Sequence, residues 1–127
     1  MAGGRSAAQV ARAVLAAIVA GRIADVLALT DPAVVCSPVT RPGRSVYEGH
    51  EGMAVLVSDL REVWGRYRVK VEDAGGGVRA DGAGGERVTL RLLVVETDRG
   101  DGAVEPVLTE FTVRGGLVTR IESTPEG

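Results

Sequence analysis

Two glutamates near the end of a predicted hairpin are the first candidates for acid and base chemistry. If the turn centres on Gly100 and Asp101, Glu96 lies directly opposite Glu105. Repulsion between two carboxylates in a partly dry site raises the pKa of one of them. That group then stays protonated and can act as an acid, while the other stays ionised and can act as a base. The alternative, which we favour because an unpaired glutamate is seldom buried, is that both side chains are solvated at the exposed end of the hairpin.

His50 is the only side chain whose reference pKa is near neutrality, so it is a candidate for proton transfer. Its position at the start of a predicted helix is more typical of a capping or solvent-facing histidine. Neither a Ser-His-Asp nor a Cys-His set can be assembled, because the single histidine has no evident acidic partner in the sequence. One histidine and one cysteine also argue against a metal site, and no cofactor is expected.

Composition and charge exclude several classes of partner. The 127-residue chain has 15 basic and 17 acidic residues, and no segment concentrates basic residues as phosphate contacts require. The longest strongly apolar run, residues 13–20, is far shorter than the roughly 20 residues of a membrane-spanning helix. The single cysteine, Cys36, cannot form an internal disulfide, so a reducing compartment fits best. We therefore expect a cytoplasmic protein that binds neither nucleic acid nor membrane.

Helical patterns occupy the first half of the chain. Ser6 and Gln9 have the spacing of a capping box, which predicts a helix over residues 6–20. A short helix is predicted at residues 23–29, and a third at residues 51–64. The third has the clearest amphipathic pattern, with one face formed by Met53, Leu56, Val57, Leu60, Val63 and Trp64.

Strand patterns dominate the second half. A short strand is predicted at residues 33–36, and residues 67–72 alternate as in a strand with one exposed face. The glycine-rich residues 75–85 are predicted to be a loop. The remaining predicted strands are residues 87–97, 104–114 and 117–123. We expect one α+β domain over residues 1–127, with its core at about residues 6–123, in which the N-terminal helices pack on a curved antiparallel sheet.

Two segments carry a family resemblance. Residues 47–52 (YEGHEG) open the third helix, and residues 111–116 (FTVRGG) precede the last strand. With this order of elements, the chain resembles the nuclear transport factor 2-like superfamily, which includes SnoaL-like and ketosteroid-isomerase-like proteins. The resemblance implies a cone-shaped, cystatin-like fold around a pocket for a small organic molecule.

The ketosteroid isomerase pattern fails at each catalytic position. Its aspartate base precedes a Pro-Val pair, and Ser37 stands before the corresponding pair at residues 38–39. Its second acid corresponds to Thr109, two residues before Phe111, and its tyrosine corresponds to about Val14. A serine without a neighbouring base cannot remove a carbon-bound proton near neutral pH. Steroid isomerisation is therefore not expected.

The pocket implied by the resemblance is apolar, with two neutral polar contacts at Ser37 and Thr109. The assumed hairpin register adds Leu92 opposite Thr109. Tyr47 and Trp64 are candidates for stacking on a planar ligand, although aromatic residues at a helix end are more commonly core residues. Strand alternation predicts that Cys36 points away from the pocket. The predicted lining is Val14, Ile18, Val35, Ser37, Tyr47, Leu60, Trp64, Leu92, Thr109 and Phe111.

Three functional interpretations remain open. The first is binding of a small apolar or aromatic metabolite by a cofactor-independent cyclase, isomerase or hydrolase. The second is a ligand carrier or sensor without catalysis, and the third is an association module whose sheet recruits a partner. Residues 92–95 (LLVV) are apolar on both faces of their strand, which predicts a homodimer that covers the outer face.

Overall fold

Three helices precede most of a six-stranded sheet in the computed structural model, which describes residues 6–38, 46–64, 67–80, 82, 84–96 and 104–125. The helices are α1 (Ala7–Ala20), α2 (Ile23–Leu29) and α3 (Gly49–Trp64). The strands are β1 (Thr30–Ser37), β2 (Tyr47–Glu48), β3 (Tyr67–Ala80), β4 (Glu86–Glu96), β5 (Val104–Arg114) and β6 (Leu117–Pro125).

The predicted capping box at the start of α1 is confirmed. The Ser6 Oγ accepts a hydrogen bond from the Gln9 backbone N–H at 3.2 Å, and the Ser6 N–H donates to Gln9 Oε1 at 2.8 Å. Gly21 ends the helix with a φ of 73°, a left-handed conformation that glycine adopts without steric cost. Both ends of α1 are therefore fixed by local sequence.

The strand order β2-β1-β6-β5-β4-β3 gives an open, curved, mixed sheet rather than the wholly antiparallel one predicted. Strands β3 to β6 form an antiparallel meander, whereas β1 pairs with β6 in parallel. Strands β1 and β6 are far apart in the chain, so no local turn signal reports their pairing. The α+β class and the packing of helices on a curved sheet are as predicted.

The first strands differ from the sequence-based expectation at their ends. Strand β1 begins at Thr30, three residues before the predicted strand at 33–36. The two-residue strand β2, missed in the sequence, pairs Tyr47 with Cys36 in antiparallel fashion. Two residues are too few for an alternation pattern to be visible. Helix α3 then begins at Gly49, directly after β2.

The glycine-rich segment is a loop only in its last part. Strand β3 continues through residues 75–77 to Ala80, where it pairs with Glu86 of β4, although its register shifts between Asp73 and Val78. Glycine has low strand propensity, yet its backbone retains both hydrogen-bonding groups. The glycines lie within this register shift, and the ladder pairs on either side, Asp73 with Leu90 and Val78 with Val88, keep β3 on β4 across them.

The helices cover one face of the sheet and enclose the core. Helix α1 packs on β3 to β6, and α3 packs on β1 to β3. The largest fully buried side chains include Tyr47, Met53, Leu56, Leu90 and Phe111. Met53, Leu56, Val57 and Leu60, the described members of the predicted α3 stripe, are thus directed inward, as their spacing indicated. Within the part of the chain that is described, every helix is too short or too polar to cross a lipid bilayer.

Candidate functional site

A cavity of about 70 Å³ lies between the helices and the inner face of the sheet, partly open to solvent. Amphipathic helices supply part of its wall and strand alternation supplies the rest, because every second side chain of β4 and β5 points inward. Its described lining is Leu15, Ile18, Cys36, Pro38, Leu56, Leu60, Val69, Leu92, Val94, Val107, Thr109, Phe111, Ile121 and Ser123.

Two hydroxyl groups form the polar part of this lining. Thr109 of β5 and Ser123 of β6 are directly paired across the sheet, and their side-chain oxygens lie 2.9 Å apart. Thr109 is 2% exposed and Ser123 is half-buried. Since one hydroxyl donates to the other, the accepting hydroxyl keeps its own hydrogen for a ligand oxygen. Thr109 was predicted from the sequence, whereas Ser123 was not.

The expectation that Cys36 points away from the pocket is wrong. Cys36 is 3% exposed and lines the cavity, and Val34 on the same face of β1 is 0% exposed. Burial raises the pKa of the Cys36 thiol to about 12, so the thiol is neutral at physiological pH. The face of a strand is set by which side chains the core buries, and here those are Val34 and Cys36.

Val35 and Ser37 consequently lie on the opposite side of β1. Both are half-buried and neither belongs to the described lining of the cavity. Val35 is paired with Glu48 of β2 and with Arg120 of β6. Ser37, which replaces the aspartate base of the ketosteroid isomerase pattern, therefore does not face the described cavity.

Five predicted lining residues do surround the cavity: Ile18, Leu60, Leu92, Thr109 and Phe111. Val14 is fully buried in the core instead. Lining residues outside the predicted set include Val69, Val94 and Val107, of which Val94 and Val107 lie two positions from the buried Leu92 and Thr109. Period-two alternation in the sequence already carried this signal.

Tyr47 is held inside the fold by a hydrogen bond, whereas the sequence made it a candidate for stacking on a ligand. Its ring is 0% exposed, and its hydroxyl donates to Asp59 Oδ2 at 2.7 Å. This bond ties β2 to the middle of α3. Tyr47 is absent from the described lining, and the side chain of Trp64 lies outside the described part of the structure.

His50 also has a partner away from the cavity. Its Nε2 lies 2.8 Å from the Thr30 carbonyl oxygen, and since a carbonyl only accepts, the Nε2 carries a hydrogen and donates it. The half-buried ring thereby joins the first turn of α3 to the start of β1. This geometry places His50 in a connecting role between two elements.

The predicted direct opposition of Glu96 and Glu105 is wrong. Glu105 is paired with Val94, because Leu92 lies opposite Val107 rather than Thr109. A shift of two residues keeps every side chain on its expected face but separates the glutamates along the strands. The turn at residues 97–103 and the side chains of both glutamates lie outside the described residues.

The described lining contains no aspartate, glutamate, lysine, arginine or histidine. Its ionisable group, the Cys36 thiol, is held neutral by burial. Over the described ranges, no cluster of three His, Cys, Asp or Glu side chains has the arrangement of a metal site. The described wall can thus offer shape, apolar contact and one hydrogen-bonding hydroxyl pair.

The family follows from a comparison of sequences. The sequence model of the SnoaL-like domain family matches residues 11–121, which include nearly every helix and strand described above. The chain therefore belongs to the SnoaL-like domain family, and its fold is that of a nuclear transport factor 2-like protein. No curated protein matches the sequence.

Solved structures agree with this assignment at the level of the fold. An uncharacterised cystatin-fold protein from Novosphingobium aromaticivorans is 20% identical, with a TM-score of 0.70 and coverage of 95% of this chain and 99% of that one. A protein assigned as a calcium/calmodulin-dependent protein kinase type II association domain, from Thiobacillus denitrificans, is 16% identical over 100% of both chains, with a TM-score of 0.75. A ketosteroid isomerase-like protein from Erwinia carotovora atroseptica is 17% identical, with a TM-score of 0.68 and coverage of 94% and 92%.

Proposed function

We propose that this protein binds a small, uncharged, apolar or aromatic molecule in the cavity between α1, α3 and the sheet. The observation that carries the proposal is the composition of the described wall, in which apolar side chains surround the Thr109–Ser123 hydroxyl pair. Such a wall disfavours the binding of a charged ligand, since an unpaired ion loses its hydration there without compensation. The hydroxyl pair suits one carbonyl or hydroxyl oxygen of the ligand.

The size of the cavity limits the ligand further. At about 70 Å³ it is smaller than the roughly 300 Å³ at the lower end of ordinary ligand pockets. A single ring or a short apolar group is therefore the part expected inside, with the rest of a larger molecule extending through the open side. Small shifts of the half-buried Val69 and Val94 would widen the space.

Carrier or sensor function is better supported than catalysis. General acid–base catalysis needs a group whose pKa lies near the operating pH. Cys36 titrates far above that range, and His50 is bonded to Thr30 away from the cavity. A cyclase, isomerase or hydrolase built on the described wall would depend on shape, proximity and the Thr109–Ser123 hydroxyl pair.

The test is a thermal-shift screen followed by calorimetric titration, with steroids, aromatic polyketides and terpenoid epoxides as probes. A ligand of the folded state raises the melting temperature with increasing concentration. Val94→Phe fills the cavity and should weaken binding at least about tenfold, because an added ring leaves no space for the ligand. Thr89→Phe is the matched control, since this half-buried residue lies on the other face of β4. Equal loss in both variants, or undiminished binding to Val94→Phe, would contradict the proposed site.

Thr109→Val tests the hydroxyl pair with almost no change in side-chain shape. We expect about fivefold weaker binding of a ligand with a carbonyl group, which is the usual value of one neutral hydrogen bond. Its hydrocarbon analogue should bind both proteins equally. Product analysis of every bound probe then separates the two candidate classes: turnover identifies an enzyme, and binding without turnover identifies a carrier.

A second candidate function, self-association, rests on the outer face of the sheet. Leu93, Val95 and Leu108 lie on this face and are only half-buried within one chain. They are flanked by the Arg91–Glu72 ion pair, whose nitrogen and oxygen are 3.4 Å apart. A second copy covering this apolar surface would remove it from water. The likeness to an association domain, noted above, supports this candidate.

Sedimentation velocity tests the proposed homodimer. Leu93→Glu should convert a dimer into a monomer, because it places a carboxylate on the apolar surface that the second copy would cover. Ile23→Glu is the control, since Ile23 is exposed at the start of α2. A native chain that sediments as a monomer at micromolar concentration would rule out this association.

A further inference from the structure

A second and larger hollow, of about 400 Å³, lies outside the cavity between α1 and β3. Its volume is within the range of roughly 300 to 1,000 Å³ that small-molecule sites occupy. The described residues that line it are Arg12, Leu15, Ala16, Val19, Ala20, Val69 and Val71. We call this hollow the α1–β3 groove.

The helical side of the groove is one continuous stripe of α1. Positions 12, 15, 16, 19 and 20 follow the spacing of neighbours on a single helix face. At a rise of about 1.5 Å per residue, the stripe from Arg12 to Ala20 is about 12 Å long. Val19 is 44% exposed on this stripe. The groove therefore has the length and the apolar walls for a short hydrocarbon chain or a small ring system.

Arg12 gives the groove a charge that the inner cavity lacks. It is exposed at one end of the stripe, and among the described residues it has no ion-pair partner. Helix α1 contains no acidic residue, Glu72 of β3 is paired with Arg91, and the side chain of Asp73 lies outside the described residues. Within the described residues, no carboxylate competes with an external anion for the guanidinium.

The groove and the inner cavity are neighbours with different chemistry. Leu15 and Val69 contribute to both. The described cavity lining is uncharged, whereas the groove combines apolar walls with one cation. A site in the groove therefore differs in charge from the neutral site proposed above, although the two share two wall residues.

We propose that the α1–β3 groove binds a small amphipathic carboxylic acid, with the carboxylate on Arg12 and the apolar body along α1. A guanidinium matches a carboxylate through two parallel hydrogen bonds. A single cation balances the single charge of a carboxylate, whereas a doubly charged phosphate would keep an excess negative charge beside the apolar walls.

Calorimetric titration with octanoate and octanamide tests the charge preference. The native protein should bind octanoate more tightly than octanamide. Arg12→Gln should lower the affinity for octanoate about fivefold, as expected for a partly shielded ion pair. The affinity for octanamide should not change. Arg79→Gln is the control, because it removes the same charge from an exposed position on β3. Equal octanoate affinity in native protein and Arg12→Gln, or no octanoate binding at all, overturns the proposal.

The location is tested with a bulky residue in the groove. Ala16→Phe places a ring on the exposed helical side and should abolish binding of both probes. Ala28→Phe, at an exposed position of α2, should have no effect. If Val94→Phe abolishes octanoate binding and Ala16→Phe does not, the acid occupies the inner cavity and the groove assignment is wrong. If Ala16→Phe instead dissociates a dimer, the groove is an interface between two copies, which also overturns the proposal.

Discussion

The inward-facing thiol of Cys36 is the ionisable group of a described wall whose other side chains do not titrate. Burial raises its pKa from an ordinary value of 9.0 to about 12, because the thiolate would lose its hydration among apolar neighbours. The thiol therefore acts as a small apolar side chain at physiological pH. Alkylation in the folded state should accordingly be slow.

Stability at alkaline pH provides a quantitative test of this environment. Between about pH 9 and 12 the unfolded chain has released the Cys36 proton while the folded chain retains it, so rising pH favours unfolding. The free energy of unfolding, relative to that of Cys36→Ala, should be constant below pH 9 and fall by about 1.4 kcal/mol per pH unit above it. Urea titrations of both proteins from pH 7 to 10.5 measure the difference. A flat difference would place the thiol in contact with water.

Tyr47 tests whether a buried aromatic residue stabilises the fold without contacting ligand. Tyr47→Phe removes the 2.7 Å hydrogen bond to Asp59 and should lower the free energy of unfolding by about 1.5 kcal/mol. Chemical denaturation measures this loss. Affinity for any cavity ligand should stay the same, and a selective loss of binding would show that the Tyr47 hydroxyl contacts the ligand. Asp59→Asn retains an acceptor and should cost less.

Helix α1 supplies residues to both the cavity and the groove, so its N-terminal cap affects both. Ser6→Ala removes the acceptor for the Gln9 N–H and should destabilise the protein by about 1 kcal/mol. Ser58→Ala, at an exposed position inside α3, should change stability by no more than about 0.5 kcal/mol. Equal effects of the two substitutions, measured by urea unfolding, would show that the cap contributes nothing.

The close approach of α3 to β2 explains the glycine at position 52. A Cβ there would lie 3.0 Å from the Tyr47 carbonyl carbon, which is backbone and cannot move aside cheaply. Gly52→Ala would gain about 1 kcal/mol of helix propensity, yet we expect a net loss of about 1 to 2 kcal/mol from this overlap. Thermal denaturation measures it. Ala54→Gly in the same helix reports the propensity effect alone, and a stabilised Gly52→Ala would refute the close contact.

Elements with local signals were predictable from the sequence. The capping box located α1, and the apolar spacing of α3 located its buried face. Strand β2 was missed because two residues have no periodicity, and residues 75–77 were assigned to a loop because glycine usually marks one. The register of β4 and β5 depended on a turn whose centre the sequence left ambiguous.

The candidate site was less predictable than the fold. The face of β1 is decided by which side chains the whole core buries, so Cys36 was assigned to the wrong side. Cavity volume is what remains after many side chains have packed, and no single residue specifies it. The groove depends on the distance between α1 and β3, which are remote in sequence.

The helices and sheet share one core, and Phe111 lies inside it. Its side chain is 0% exposed and also borders the cavity. Phe111→Ala should lower the free energy of unfolding by about 4 kcal/mol. That is a large part of the roughly 5 to 15 kcal/mol that is typical of a folded domain. Unfolding monitored by circular dichroism should shift as one transition for helices and strands together. Loss of strand signal before helix signal would show that they unfold separately.

The parallel pairing of β1 with β6 has a consequence during synthesis on the ribosome. Strand β1 is translated before β2 to β5, but its neighbour on one side, β6, is translated after all of them. Until then, the backbone groups on that side of β1, and those on the free side of β5, are unpaired edges of the kind that recruit other chains. The meander β3 to β5 can form as it emerges, whereas the side of β1 that pairs with β6 stays unpaired until β6 is translated.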